Sequence, residues 1–407
     1  MVDQTTSIKE INRIRILNLL RLYPGASRIE LVKKTGLTKG AVSSLVADLL
    51  HEGLIQEVGA GVQLAATGRP PIQLQLKAGT HLAIGIELTG TRCVSVLADL
   101  YSKPLREIRC EVTDTSVDGL SDLVSHIVDE LMAGYPVSKL LGVGVGVPAI
   151  VDKTGYKIIR SENTGLSGVP LGDILTQRVG NPVTLVKRQE AGALGEYRYG
   201  IGKGCQNLAF ISIDVGIGCG VLLGGKLYEG ADGYAGEIGH VIVADCGESV
   251  ECRCGNYGCL ETVASLPSMA AQARAKIESG QASSLDARDG GDLSAITGRS
   301  VINAAQQGDA LSIQVVQDAA GHVGKVVSTM VSLLNLSLVV FSGEMAELGD
   351  LFFGPIQEAV CSRAYPASSQ SVEIVSSALG NQAAAIGAAT LVIDRFFTPA
   401  VPGLLAS

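Results

Sequence analysis

The segment NLAFISIDVGIGCGVLLGGKLYEG, residues 207–230, is an apolar run, a glycine-marked turn and a second apolar run. Leu208 to Ile213 has the length and branching of a buried strand, Gly216, Gly218 and Gly220 mark a tight turn, and Val221 to Leu223 resumes the strand. A second unit of the same plan is HLAIGIELTGTRCVSVLADL, residues 81–100. Two strand-turn-strand units, each opening half of a long body, predict two similar α/β lobes around a cleft, with turns able to approach phosphates. LLGVGVGVPAIVD (140–152) adds a strand ending in a turn at Pro148, and LVVFSGE (338–344) adds another after an Ala- and Val-rich helix from Ala310 to Leu334. Residues 280–298, rich in Ser, Asp and Gly, read as a flexible surface insertion.

The 407 residues suffice for two or three domains, and 46% apolar composition supplies their cores. Fifty glycines, no Trp and six Phe suit close backbone turns and a core of small aliphatic side chains, as in a nucleotide- or sugar-binding α/β protein. The N-terminal stretch MVDQTTSIKEINRIR lacks the apolar core of a secretory signal. The longest uncharged stretch, Val326 to Gly343, is interrupted by Ser, Thr and Asn and reads as a helix running into a buried strand, not a membrane span. A cytoplasmic protein with no membrane partner is therefore expected.

The net charge of −8 taken whole argues against nucleic acid, but it is an average. Residues 1–77 carry ten basic and six acidic side chains, a net of +4, which leaves −12 for the remainder. Within this basic head, Ile11, Ile14, Ile16, Leu17, Leu19 and Leu20 recur at helical spacing until Pro24-Gly25. Ser27 with Glu30 forms a capping box for a second helix, Gly36 makes the turn, and Leu37-Thr38 opens a third. There Val42, Leu45, Val46, Leu49 and Leu50 make the apolar stripe while Lys39, Ser43 and Ser44 lie opposite, as on a recognition helix. Gly53 closes it, and a hairpin follows with Gly59 to Gly68 as its wing and Arg69 at its end. This is the pattern of a winged helix-turn-helix over residues 1–77, with wing and linker at 59–77. Its candidate DNA contacts are Arg28, Thr38, Lys39, Ser43, Ser44 and Arg69. A small helical protein-interaction domain is the alternative.

The strongest chemical signal is GEIGHVIVADCGESVECRCGNYGCLE, residues 236–261. His240, Cys252, Cys254 and Cys259 supply one imidazole and three thiolates, a complete tetrahedral set that predicts one structural zinc ion per chain. Gly255 and Gly258 let the chain fold sharply enough for Cys254 and Cys259 to face one metal. Cys246 could replace one ligand, whereas Cys93, Cys110, Cys205, Cys219 and Cys361 read as small apolar fillers.

GEIGH followed by CRCGNYGCLE resembles the signature of the ROK family of sugar kinases and sugar-responsive repressors, and the likeness spans essentially the whole chain. With its winged helix the chain is similar to the repressor branch, the xylose and N-acetylglucosamine repressors among them. The resemblance implies an actin- or hexokinase-like body of two α/β lobes, at 78–190 and 191–382, with a C-terminal helix at about 383–398 packing back on the first. Further matches are ELTGT (87–91), VGVPAIVD (145–152), ENTGLSGVPL (162–171), DVGIGCG (214–220) and ALGNQAAAIGAA (378–389). It also implies a sugar pocket lined by Asn163, Glu237, His240 and Glu261, whose amide and carboxylates suit vicinal hydroxyls.

Family kinases place an Asn-Asp pair shortly before Ala-Leu-Gly-Glu, and fixing Ala193 to Glu196 puts Lys187 and Arg188 in those places. Arginine stays protonated and cannot serve as the base. Asp214-Val215 replaces the usual Gly-Thr of the second phosphate turn, Glu87 and Thr89 replace Asp and Gly in the first, and Ala149 replaces Gly after Pro148. We therefore expect a catalytically inactive, kinase-derived effector domain in a repressor that binds operator DNA and a sugar or sugar-derived effector. A homodimer or tetramer is expected, and a sugar-transport protein is a conceivable further partner. The alternatives are an ATP-dependent sugar kinase with a DNA-binding head and a ligand-independent DNA-binding scaffold. Arg188 itself is expected to pair with Glu237 or Glu261, or to recognise an anionic ligand.

Overall fold

The computed structural model describes residues 8–60, 71–161, 164–244, 250–288 and 292–398. The head comprises α1 (Ile8–Leu22), α2 (Arg28–Thr35), α3 (Lys39–His51) and the antiparallel strands β1 (Ile55–Ala60) and β2 (Ile72–Leu76). Local chemistry sets these limits. Ser27 and Glu30 form the reciprocal capping box at the start of α2, Gly36 ends it in the left-handed region (φ 71°), and the Thr38 side chain accepts the Ala41 N–H to cap α3. Val42, Leu45, Val46 and Leu49 are buried. The last part of the segment expected as wing and linker is strand β2, while Arg69 and the rest of the wing tip lie outside the described residues.

The head is joined to the body by packing as well as by the chain. Ile16, Leu20, Val46 and Leu74 share one apolar core with Val96, Ala98, Ile386 and Ile393. The Leu76 N–H donates to the Tyr101 hydroxyl at 3.1 Å.

In chain order the body continues with β3 (Leu82–Leu88), β4 (Arg92–Asp99), β5 (Pro104–Glu111), α4 (Val117–Met132), β6 (Leu140–Val147), a ribbon of β7 (Ile150–Val151), β8 (Ile158–Arg160) and β9 (Ser167–Val169), then α5 (Leu171–Val179), β10 (Val183–Lys187) and α6 (Arg188–Tyr199). The second half holds β11 (Leu208–Ile213), β12 (Ile217–Leu223), β13 (Lys226–Leu227), α7 (Leu260–Ala264), α8 (Leu266–Glu278), α9 (Ser284–Arg288), α10 (Gly298–Gln306), α11 (Ala310–Leu334), β14 (Leu338–Ser342), α12 (Asp350–Arg363), α13 (Pro366–Ser369), β15 (Glu373–Ser376) and α14 (Ala383–Phe396).

The two main sheets share one topology. In the first, β5-β4-β3 is an antiparallel meander and β6 and β10 add in parallel beside β3; in the second, β13-β12-β11 is the meander and β14 and β15 add in parallel beside β11. The edge strands β5 and β15 are not among the strands expected from sequence: β5 alternates exposed and half-buried residues, and β15 is only four residues long.

Helices α6 and α14 lie against each other between the sheets. A Cβ on Gly387 would collide with the Ala191 carbonyl, and one on Gly220 with the Gln189 carbonyl. Gly218 and Gly220, expected in the turn, thus belong to strand β12, where they admit α6. Residues 280–288 and 292–298 are not a loose insertion either. Leu285 and Ile296 are each 1% exposed within the second-lobe core, and Asp309 accepts the Ser284 N–H and Ser283 hydroxyl. Burial alone would raise the Asp309 carboxyl, but these bonds and those from Ser312 hold it at about 2.

Among the expected filler cysteines, Cys93 and Cys219 are buried and Cys110 and Cys205 half-buried, but Cys361 is exposed. No helix among the described residues is long and apolar enough to cross a membrane.

Candidate functional site

On the head, Thr38 caps α3 and Lys39, Ser43 and Ser44 lie on it away from its buried stripe, all four exposed. Arg28 is not free: its guanidinium pairs with Glu57 of β1 at 3.0 Å, tying the start of α2 to the base of the wing.

The cleft between the lobes has two compartments. One, of about 350 Å³, is lined by Lys187, Gln189, Glu237, His240 and Glu261; the other, of about 370 Å³, by Glu87, Arg92, Asp214, Ser212 and Asn381. Arg188 lines both and stands between them.

Arg188 is the first residue of α6, with its side chain 10% exposed. It pairs with neither Glu237 nor Glu261, contrary to the sequence expectation. Its Nη1 lies 3.4 Å from Asp214 and 3.6 Å from Glu87, and its Nη2 donates to the Ser212 hydroxyl at 3.1 Å. The adjacent Lys187 takes the other direction. As the last residue of β10 its ammonium donates to the Ala235 carbonyl and lies 3.1 Å from Glu190 and 3.7 Å from Glu237. Chain geometry explains the correction: two consecutive cations at a strand-to-helix junction point to different sides of the cleft, so each finds its own carboxylates.

Glu261 lies in the first turn of α7 and accepts the Ile217 N–H at 3.1 Å, fixing the second turn. Burial pushes the Glu87 carboxyl up against the opposing pull of Arg188. Burial likewise raises Glu190, which Lys187 counters only partly, leaving it at about 7. Asn163 lies outside the described residues.

His240, Cys252, Cys254 and Cys259 converge at the rim of the first compartment, their donor atoms all within 4.8 Å of one another, a cluster that could hold a metal ion. His240 Nδ1 is 3.5 Å from Cys252 Sγ, and Cys254 Sγ is 3.7 Å from Cys259 Sγ. Gly255 and Gly258 both adopt positive φ in the turn that brings these thiols together. Cys246 lies outside the described residues.

Sequence reasoning did not identify Lys187 as the partner of Glu237, nor Glu87 and Asp214 as partners of Arg188. The signal was present for the second: a base exchanged for a cation, beside a neutral turn residue exchanged for an acid.

The far end of α6 reaches the head. Arg21 of α1 pairs with Asp394 of α14 at 2.5 Å and donates to the Tyr199 hydroxyl at 2.8 Å, while Arg198 holds the other Asp394 oxygen at 3.2 Å. Asn18 donates to the Phe397 carbonyl at 2.7 Å.

Comparison with known proteins adds the family context. A model described as the ROK family matches residues 83–395, and one described as winged helix-turn-helix DNA-binding matches residues 9–56. The chain is 28% identical to the xylose repressor of Bacillus spizizenii (strain ATCC 23059 / NRRL B-14472 / W23) over 398 residues, 97% of this chain and 98% of that protein. Among solved structures it is similar to a ROK family transcriptional regulator described as a homologue of the E. coli MLC protein, with TM-score 0.81 and 25% identity over 96% of this chain and 97% of the other. A ROK family glucokinase from Streptomyces griseus, solved with glucose and AMPPNP, matches with TM-score 0.67 and 26% identity over 76% of this chain and 98% of its own.

Proposed function

The chain belongs to the ROK family, and from that premise we propose that it is a sugar-responsive transcriptional repressor whose kinase-like cleft binds an effector without transferring phosphate. The ion pairs of Arg188 with Glu87 and Asp214 carry this reading. A sugar kinase needs a carboxylate to take the hydroxyl proton and a cradle that neutralises transferring phosphate. Here the residue at the base position is a permanent cation, and the two turns facing the phosphate compartment present carboxylates already engaged by it. The expected outcome is no sugar-dependent ADP formation with a sugar that demonstrably binds the purified protein. Steady turnover in that assay would return the kinase reading.

Glu237 and Glu261 are the acceptors for sugar hydroxyls in this reading, with His240 joining them from the compartment wall. The metal would be zinc. Tetrahedral bonds of about 2.3 Å to sulfur and about 2.0–2.1 Å to nitrogen put neighbouring sulfurs about 3.8 Å apart and a sulfur and nitrogen about 3.6 Å apart. The separations of 3.7 and 3.5 Å fit that ion. Four protein ligands would leave no open position, so the ion would serve to hold the segment carrying His240 against the cleft.

DNA recognition falls to the exposed face of α3 and to the wing, with two heads in a homodimer or higher oligomer reading two half-sites. A ligand that favours one arrangement of the lobes would then shift the operator-bound population. α6 is the connection, with Arg188 at the cleft, Tyr199 accepting from Arg21 of the head, and Arg198 sharing Asp394 with Arg21.

A further inference from the structure

We infer that Cys93 and Cys110 form a redox-active dithiol, a modification site for hydroperoxides that closes to a disulfide across the β4–β5 edge of the first sheet. The pair is independent of the sugar and DNA readings above.

Strand register brings the two together. Cys93 of β4 lies directly opposite Cys110 of β5 in an antiparallel pair, so both side chains leave the same face of the sheet. That face is the one covered by α4, where Cys93 belongs to the core and Cys110 packs against it. Next along the ladder, the Val112 N–H donates to the Thr91 carbonyl at 2.9 Å, which puts Thr91–Val112, and by alternation Cys93–Cys110, in the hydrogen-bonded class. Opposed residues of that class have Cα atoms about 5.5 Å apart, inside the roughly 4.4–6.8 Å that disulfides span. The two thiols already interact with each other.

Their surroundings assign them different roles. Both residues line the second compartment of the cleft, but only Cys110, on the edge strand, is half-exposed, so a small peroxide reaches it. Cys93 is 1% exposed, and burial together with the neighbouring Cys110 and Glu87 raises its thiol, so it is not the first to react. The Cys110 thiolate attacks one peroxide oxygen, the O–O bond breaks, and the other oxygen leaves and takes up a proton as an alcohol or water. The Cys93 sulfur then attacks the sulfenic sulfur of Cys110. An S–S bond forms, the S–O bond breaks, and the departing hydroxide leaves as water with the Cys93 proton. Two thiols have lost two electrons and the peroxide has gained them. A small-molecule thiol reverses the closure by exchange.

The experiment is peptide mapping of the full-length protein after titration with hydrogen peroxide, the remaining thiols being alkylated before digestion. Trypsin cuts after Arg106 and Arg109, between the two cysteines, so the disulfide appears as one species joining two peptides, lighter by two hydrogens and separated by a reducing thiol. We expect that species in the wild-type protein, and in Cys93→Ala a sulfenic acid at Cys110 that dimedone traps. In Cys110→Ala, Cys93 is expected to oxidise at least about tenfold more slowly than in the wild type. An unchanged rate at Cys93 in that variant overturns the inference. So does a wild-type sample in which the exposed Cys361 is already oxidised and no Cys93–Cys110 species is present. This wild-type result decides the matter even if Cys93→Ala, which empties a core position, fails to fold.

Discussion

At the scale of single residues, the cleft is organised by two neighbouring cations facing different carboxylates. Arg188 is nearly buried and its Nη1 lies 3.6 Å from Glu87 and 3.4 Å from Asp214. Arg188→Met would remove the guanidinium 3.6 Å from Glu87 and leave Asp214 paired with Arg92 alone at 3.4 Å, and we expect a loss of about 3 kcal/mol in chemical denaturation. Most of that loss should return in the triple variant that adds Glu87→Gln and Asp214→Asn, because the charges then disappear together. A simple sum of the separate effects would mean that the pairs carry no coupling. The exchange at position 188 is legible in the sequence, since one cation replaces an expected acid. Its partners are not, because Glu87 and Asp214 reach it only when both lobes fold. Glu190 gives a second test. Burial raises its folded-state value to about 7 from an ordinary 4.5, so over that window the folded chain binds more protons than the unfolded one. The group therefore removes stability as pH rises from 4.5 to about 7, by roughly 3 kcal/mol in all. Glu190→Gln, which stays neutral, should raise the melting temperature at about pH 8 and leave it nearly unchanged at about pH 5; an identical pH profile for both proteins would contradict this assignment.

At the scale of elements, legibility followed how local the determinants are. The capping box of α2, the Thr38 cap of α3 and the span of α11 follow from neighbours in sequence, and all are present. The polar segment before α10 read as a loose insertion because Leu285 and Ile296 are two isolated apolar residues, and only the second-lobe core reveals them as anchors. Glycines divide in the same way. Gly255 and Gly258, with positive φ in the turn between Cys254 and Cys259, are visible as turn residues, whereas Gly220 and Gly387 serve helix contacts that no local pattern announces. The His/Cys cluster was the most legible element, because all four residues fall between His240 and Cys259 in one short stretch of chain and the structure brings their donor atoms within 4.8 Å of one another. Cys254→Ser is expected to lose the zinc and to lower the melting temperature markedly, as a site whose binding energy is folding energy should. Metal analysis giving one zinc per chain in that variant would exclude Cys254 from the ligand set.

At the scale of the whole molecule, the opposite charges of head and body meet at a specific joint. Asp394 accepts Arg21 from the DNA-reading head and Arg198 from α6, whose first residue is Arg188 in the cleft. A helix is stiff along its axis, and α6 is pressed against α14 so closely that glycine is required at Gly387. Displacement of its cleft end on ligand binding should therefore be felt at Tyr199 and at the Asp394 that Arg198 and Arg21 share, the contacts through which α6 and α14 hold the head. Such coupling is typically about 1–3 kcal/mol, or roughly 5- to 150-fold in affinity. Asp394→Asn keeps the shape but removes the charge that both arginines share. We expect the effect of the bound sugar on operator affinity to fall at least about fivefold in this variant. Sugar affinity measured in the absence of DNA should change far less, by about twofold, since Asp394 lines neither compartment of the cleft. Fluorescence anisotropy with labelled operator, with and without saturating sugar, reads the first quantity and calorimetry the second. A variant that keeps its full sugar response would show that the signal reaches the head by another route, leaving the joint a purely structural contact between two domains of opposite charge.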